Sequence, residues 1–131
     1  MVVARMVRRL AVGMAMIVGC SGTEPADPCE ELVNPSVAVG EKTVFSWVPG
    51  CKINRLVVTT ADFGQDMWAI ESTTLPNDLI GPITYGELPA GAAQEGPAQL
   101  LHVGTSYTVV MSVVASDGTS MTVGTKTFMM L

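Results

Sequence analysis

The sequence predicts an all-β protein, an antiparallel sandwich of seven or eight strands occupying residues 36–131. Three observations predict it. Val and Thr are abundant and long helix formers few, which is the composition of strands. From Ser36 onward apolar and polar residues alternate in short runs, the period at which strand side chains change faces. Gly, Pro and Asp punctuate those runs at intervals typical of a sandwich. With 131 residues there is room for one ordinary domain, and 48% hydrophobic against 15% charged residues favours a packed core over disorder.

Ser36–Val39 reads as a short first strand, closed by a Gly40-Glu41 turn. Lys42–Val48 is the second, with Phe45 and Trp47 on one face and Val44, Ser46 and Val48 on the other. Pro49-Gly50 breaks it. Ile53–Thr60 is the third strand, where Leu56 and Val58 alternate with Arg55 and Val57. Met67–Ser72 is the fourth, carrying Trp68 and Ile70 on one side. Residues 73–97 hold Pro76, Pro82, Pro89 and Pro97; Ile80–Tyr85 is a candidate strand there, and Pro89–Pro97 reads as a surface loop. Ala98–Leu101 is a short strand. Ser106–Ala115 and Met121–Met130 form the strongest hairpin, because the intervening Ser116-Asp-Gly-Thr119 carries the Asp-Gly pair that favours positive φ.

The first twenty residues, MVVARMVRRLAVGMAMIVGC, have a different character. Arg5, Arg8 and Arg9 precede an apolar run from Leu10 to Gly19, with Met6 a second possible start. Ten apolar residues are too few to cross about 30 Å of hydrocarbon as a helix, and they suit a secretory signal. Ile17-Val18-Gly19-Cys20 resembles the bacterial lipobox. That resemblance implies a lipoprotein signal peptide over 1–19, cleavage before Cys20, and acyl chains such as palmitate on the Cys20 thiol and new amino group. Two or three chains hold a protein on a bilayer far more firmly than one. Residues 20–35, polar and containing Pro25 and Pro28, then read as a flexible tether. Ser21 after the cysteine resembles the sorting signal for the outer membrane in cells that have one.

Several positions together resemble the fibronectin type III branch of the immunoglobulin-like superfamily. Phe45-Ser-Trp47-Val-Pro49 is similar to its second strand, whose Trp lies between the sheets. Leu101-His-Val-Gly104-Thr-Ser-Tyr107 is similar to its tyrosine corner, where a buried Tyr hydroxyl bonds back to the backbone just upstream. The resemblance covers about 36–131 and implies an immunoglobulin-like sandwich with Trp47 and Tyr107 in the core. It further implies that Tyr107, Val109, Met111, Val113 and Ala115 face inward. The chain also looks like bacterial lipoprotein domains that pair such a Trp-Pro strand with a later Trp68-Ala-Ile70 and Tyr85-Gly86…Pro89. That likeness implies a fold and no activity.

If Cys20 carries lipid, Cys29 and Cys51 remain as an even pair in a compartment that permits disulfides. A bridge would close a loop of about 20 residues and contribute roughly 3 kcal/mol. A metal or redox pair is the alternative, and no further Cys or nearby His supports it. The processed body has four basic and twelve acidic residues, a net −8. Such a surface repels phosphate backbones, so nucleic acid is not an expected partner.

No catalytic residue, metal site or cofactor is expected. His102 is the only histidine, without a Gly-x-Ser-x-Gly or His-x-x-x-His pattern to complete a site. Asp62, Asp66, Glu71 and Asp78 lack the spacing of a calcium loop and read as a solvated rim. Met111, Met121, Met129 and Met130 raise a copper site, but adjacent Met129 and Met130 must point to opposite faces. Trp68 and Tyr85 read as core rather than as stacking platforms. The expected function is therefore a non-catalytic binding or structural module of the cell envelope. It would be held to the membrane by lipid and meet a protein or glycan through loop tips or a strand edge. The alternative is a lipoprotein that binds a ligand or ion through the acidic loops (62–78) or the 73–97 insertion. Replacing Cys20 with Ala is expected to abolish processing and lipidation. Labelling with a fatty-acid probe reads this directly, and undiminished label in the variant contradicts the lipobox.

Overall fold

Eight strands and no helix are found in the computed structural model, which describes residues 27–131. The expected signal segment, Cys20 and the first part of the expected tether lie outside these residues. The strands are β1 (Asn34–Ala38), β2 (Val44–Val48), β3 (Arg55–Thr60), β4 (Asp66–Ser72), β5 (Ile83–Thr84), β6 (Ala92–Gln94), β7 (Ser106–Val114) and β8 (Ser120–Met129). They form two antiparallel sheets, ordered β1-β2-β5 and β6-β4-β3-β7-β8. The protein is a β-sandwich, with β6 at the outer edge of β4.

The sheets face each other because each has one apolar side. Phe45, Trp47 and Ile83 from the smaller sheet meet Leu56, Val58, Trp68, Ile70, Tyr107, Val109, Met111 and Val113 from the larger, all buried. Register places these residues together: Leu56 lies between Ile70 and Met111, and Val58 between Trp68 and Val109. Alternation holds along β7 through Val113, whereas Ala115 lies past the strand and is only half-buried. The hairpin turns as expected, with Asp117 accepting from the Thr119 N–H and hydroxyl and Gly118 at φ 89°. β8 is an edge of its sheet. Lys126, in register with buried Val109 yet exposed, sets a charge where another chain's strand would add.

The 73–101 stretch departs from expectation. Of Ile80–Tyr85 only Ile83 and Thr84 pair, with Phe45 and Val44. Part of the expected loop Pro89–Pro97 is a strand, because β6 pairs with Ile70–Ser72 and satisfies the outer edge of β4. Its residues are small and mostly exposed, so no alternation marks it. Ala98–Leu101 is not a strand. The stretch from Glu95 through Leu101 follows β4 with isolated bonds only, Glu95 N–H to the Ala69 carbonyl and Gln99 N–H to the Met67 carbonyl, since Pro97 between them has no donor.

The domain also takes in more of the N-terminal side than expected. Cys29 N–H donates to the Lys52 carbonyl and Lys52 N–H to the Asp27 carbonyl, both at 2.8 Å, and Val33 N–H reaches the Val123 carbonyl. Gly124 makes this possible. A Cβ there would lie 2.8 Å from Val33 Cγ2 and 2.9 Å from Pro35 Cγ. Residues 27–35 are thus attached to the body, where a free tether was expected.

Asn77 pins the proline-rich stretch. Its Nδ2 donates to the Val114 carbonyl and its Oδ1 accepts from the Val114 N–H, each at 2.8 Å, so the side chain replaces a neighbouring strand. Its own N–H donates to Asn54 Oδ1 at 2.9 Å. The backbone is left-handed, φ 54°, a conformation Asn tolerates and Ala resists. Asn77→Ala is expected to lower stability by about 2–3 kcal/mol, the sum of two hydrogen bonds and the backbone penalty. Asn77→Gly, which keeps the backbone conformation, is expected to lose about 1 kcal/mol less. Urea denaturation of the three proteins checks both values.

Candidate functional site

Cys29 and Cys51 form a disulfide, Cα to Cα 4.9 Å across 22 residues. The pairing follows from the strands. β1 and β2 run antiparallel from Asn34 opposite Val48, so the segments beyond that end of the ladder meet. The bridge lies beside the Trp47 ring, whose indole N–H donates to the Cys51 carbonyl at 2.7 Å. On its other side Trp47 touches Gly81, where a Cβ would lie 3.0 Å from Cζ3. Trp47 therefore joins the disulfide, the core and the 79–82 segment.

Tyr107 is buried and its hydroxyl bonds five residues upstream, as a tyrosine corner does. The hydroxyl accepts from the His102 N–H at 2.8 Å. His102 itself is exposed. Tyr107→Phe is expected to lose one hydrogen bond and about 1–2 kcal/mol, the His102 N–H recovering part by meeting water. Chemical denaturation reads the difference, and a change below about 0.5 kcal/mol would contradict a structural role.

The acidic candidates are spread along the molecule. Asp62 is in the β3–β4 turn, Asp66 opens β4, Glu71 opposes Arg55 at its other end, and Asp78 pairs with Lys52 at 3.0 Å. Among the described residues no three His, Cys, Asp or Glu side chains gather at metal-holding distance. Met111 is in the core, whereas Met121 and Met129 are exposed. Trp68 is buried and donates to Gln94 Oε1 at 2.9 Å. Tyr85 is half-buried and meets Trp68 edge-on at 5.2 Å. Its hydroxyl donates to the Gln99 carbonyl at 2.6 Å, and burial pushes its pKa up to about 12, so it stays neutral. Tyr85, Ala98, Leu100, Leu101 and Met130 line a groove of about 600 Å³ between the open edges of the two sheets, with the Lys42–Glu87 ion pair at its rim.

The β3–β4 turn carries a feature not foreseen. Phe63 has φ 60°, a left-handed conformation rare for a bulky residue, and is 64% exposed. The turn is nevertheless well tied. Phe63 N–H donates to the Thr60 carbonyl, Gly64 N–H to Asp62 Oδ1 and Thr60 Oγ1, and Gln65 N–H to Thr60 Oγ1. The Thr60 hydroxyl and the Gly64 N–H hold the Asp62 carboxyl below the usual range. Gln65 Nε2 reaches Gln99 Oε1, so the stretch leading to exposed Leu100 and Val103 lies beside this turn. The signal was present as Thr-Ala-Asp-Phe-Gly, but its hydrogen bonds needed the positions of β3 and β4. Comparison with known proteins returned no matching family model, no matching curated protein and no matching solved structure.

Proposed function

We propose that the protein is a lipid-anchored, non-catalytic module of the cell envelope that binds a partner through the end of the sandwich remote from its anchor. One observation carries this reading. Phe63, an exposed aromatic, is held in a strained conformation on a tied turn at the end of β3 away from Lys52 and Cys29. Backbone strain persists where surrounding structure enforces it, and such positions cluster at recognition sites. A rigid, exposed aromatic is also the usual form of an interface anchor. The acyl chains of Cys20 and the attachment of residues 27–35 would set this turn facing outward. Envelope proteins and glycans are the partner classes such a loop cluster meets, and the acidic body disfavours nucleic acid.

A second reading rests on the groove beside Tyr85, whose volume suits a small ligand. It would make the protein a ligand-binding lipoprotein, and calcium, copper and a glycan panel are the probes. A photo-crosslinking residue in place of Phe63 is expected to give one discrete adduct in cells, and the same residue in place of Ser46 on the outer sheet face none. Adducts at both positions, or at neither, contradict the first reading. A saturable rise in melting midpoint with any probe favours the second.

A further inference from the structure

We propose that the opposite end of the sandwich, where the chain leaves toward Cys20, rests directly on a zwitterionic lipid surface. The inference builds on the lipid-anchor reading and adds a contact between the folded domain and the bilayer. Six residues separate Cys20 from Asp27, a distance of seven residue steps along the chain. Even fully extended those steps span at most about 25 Å. Asp27 is bonded to Lys52, so this end of the domain cannot stand far from the headgroups.

What that end presents is apolar at its corners. Leu32 is 81% exposed, Leu75 59% and Met121 42%, whereas Ile53, Leu79 and Val113 are buried. They share one end face. Pro76, next to Leu75, lines a groove of about 650 Å³ together with Pro28, Val114 and Met121. A second hollow joins Pro28 to Leu32 and Pro49. The face therefore runs from Met121 past Pro76 and Pro28 to Leu32. Its framework is stiff, because the disulfide, the Asn77 bonds to Val114 and the Lys52–Asp78 pair all lie within it. Three short apolar side chains on a rigid face would bind lipid weakly alone. Tethering supplies the local concentration that makes weak contact persistent. The charges choose the lipid: Asp27, Glu30, Glu31 and Asp117 lie at the same end and oppose an anionic surface.

The test uses the full chain, purified from bacteria with its acylation verified by intact mass and placed in phosphatidylcholine–phosphatidylethanolamine vesicles containing brominated lipid. Leu32→Trp and Leu75→Trp are compared with Leu100→Trp at the far end, where the side chain is 77% exposed. Buried Trp47 and Trp68 give a constant background. Quenching about twofold greater at positions 32 and 75 than at 100 is the expected result. In a Met121→Trp chain, adding Leu32→Ser and Leu75→Ser is expected to reduce quenching, which proximity from the tether alone would not do. Equal quenching at both ends of an acylated chain overturns the contact and leaves the anchor reading intact. So does indifference to the serine pair. A chain without acyl mass overturns the anchor reading, and the contact with it.

Discussion

Phe45 and Trp47 are the largest side chains that the three-stranded sheet sends inward, and the five-stranded sheet has no other surface against which to bury its apolar face. That mutual burial is the constraint on which the rest of the structure depends. Each strand pair satisfies its own backbone, but a lone sheet would leave Leu56, Val58, Val109 and Met111 in water. Trp47 extends the constraint beyond packing. Its indole bonds the Cys51 carbonyl and its ring fixes the approach of Gly81, so the core, the disulfide and the proline-rich segment share one side chain.

Around this core the irregular segments are held by a small number of polar contacts. Asn77 stands in for a strand beside Val114, and Tyr107 anchors the crossover before β7 by accepting from His102. Tyr85 ties the region after β5 to the 99 backbone. In each case a side chain satisfies backbone groups that no sheet reaches, which is how a long connection becomes ordered without secondary structure. The cost is sensitivity, because removing one such group strands its partner.

The two ends of the sandwich differ in chemistry. One carries the disulfide and the chain's route to Cys20, with Leu32, Leu75 and Met121 exposed around it. The other carries the strained Phe63 turn with Leu100 and Val103 beside it. The proposed division of labour, one end toward lipid and the other toward a partner, rests on this separation. Scattered exposed apolar residues are ordinary on any surface; their placement at opposite poles of a rigid body gives them orientation.

Period-two alternation and turn chemistry determined most of the fold from sequence alone. Phe45 and Trp47, and likewise Leu56 and Val58, could be read as sharing a face because strand side chains change faces at every residue, whereas the inward direction of Trp47 and of Tyr107, Val109, Met111 and Val113 came from the resemblance. The Asp117-Gly118 turn set the register of its hairpin, and the count of cysteines pointed to the Cys29–Cys51 pair. Other features belong to the tertiary structure. β6 has no apolar signature, since it exists to satisfy the free edge of β4 and leaves its own side chains mostly in water. The attachment of residues 27–35 depended on Gly124, ninety residues away, leaving room for Val33 and Pro35. The Asn77 clamp and the Phe63 turn likewise required partners on distant strands. Local pattern reports which face a residue prefers, whereas unpaired backbone groups and close approaches arise only when separate strands are brought together.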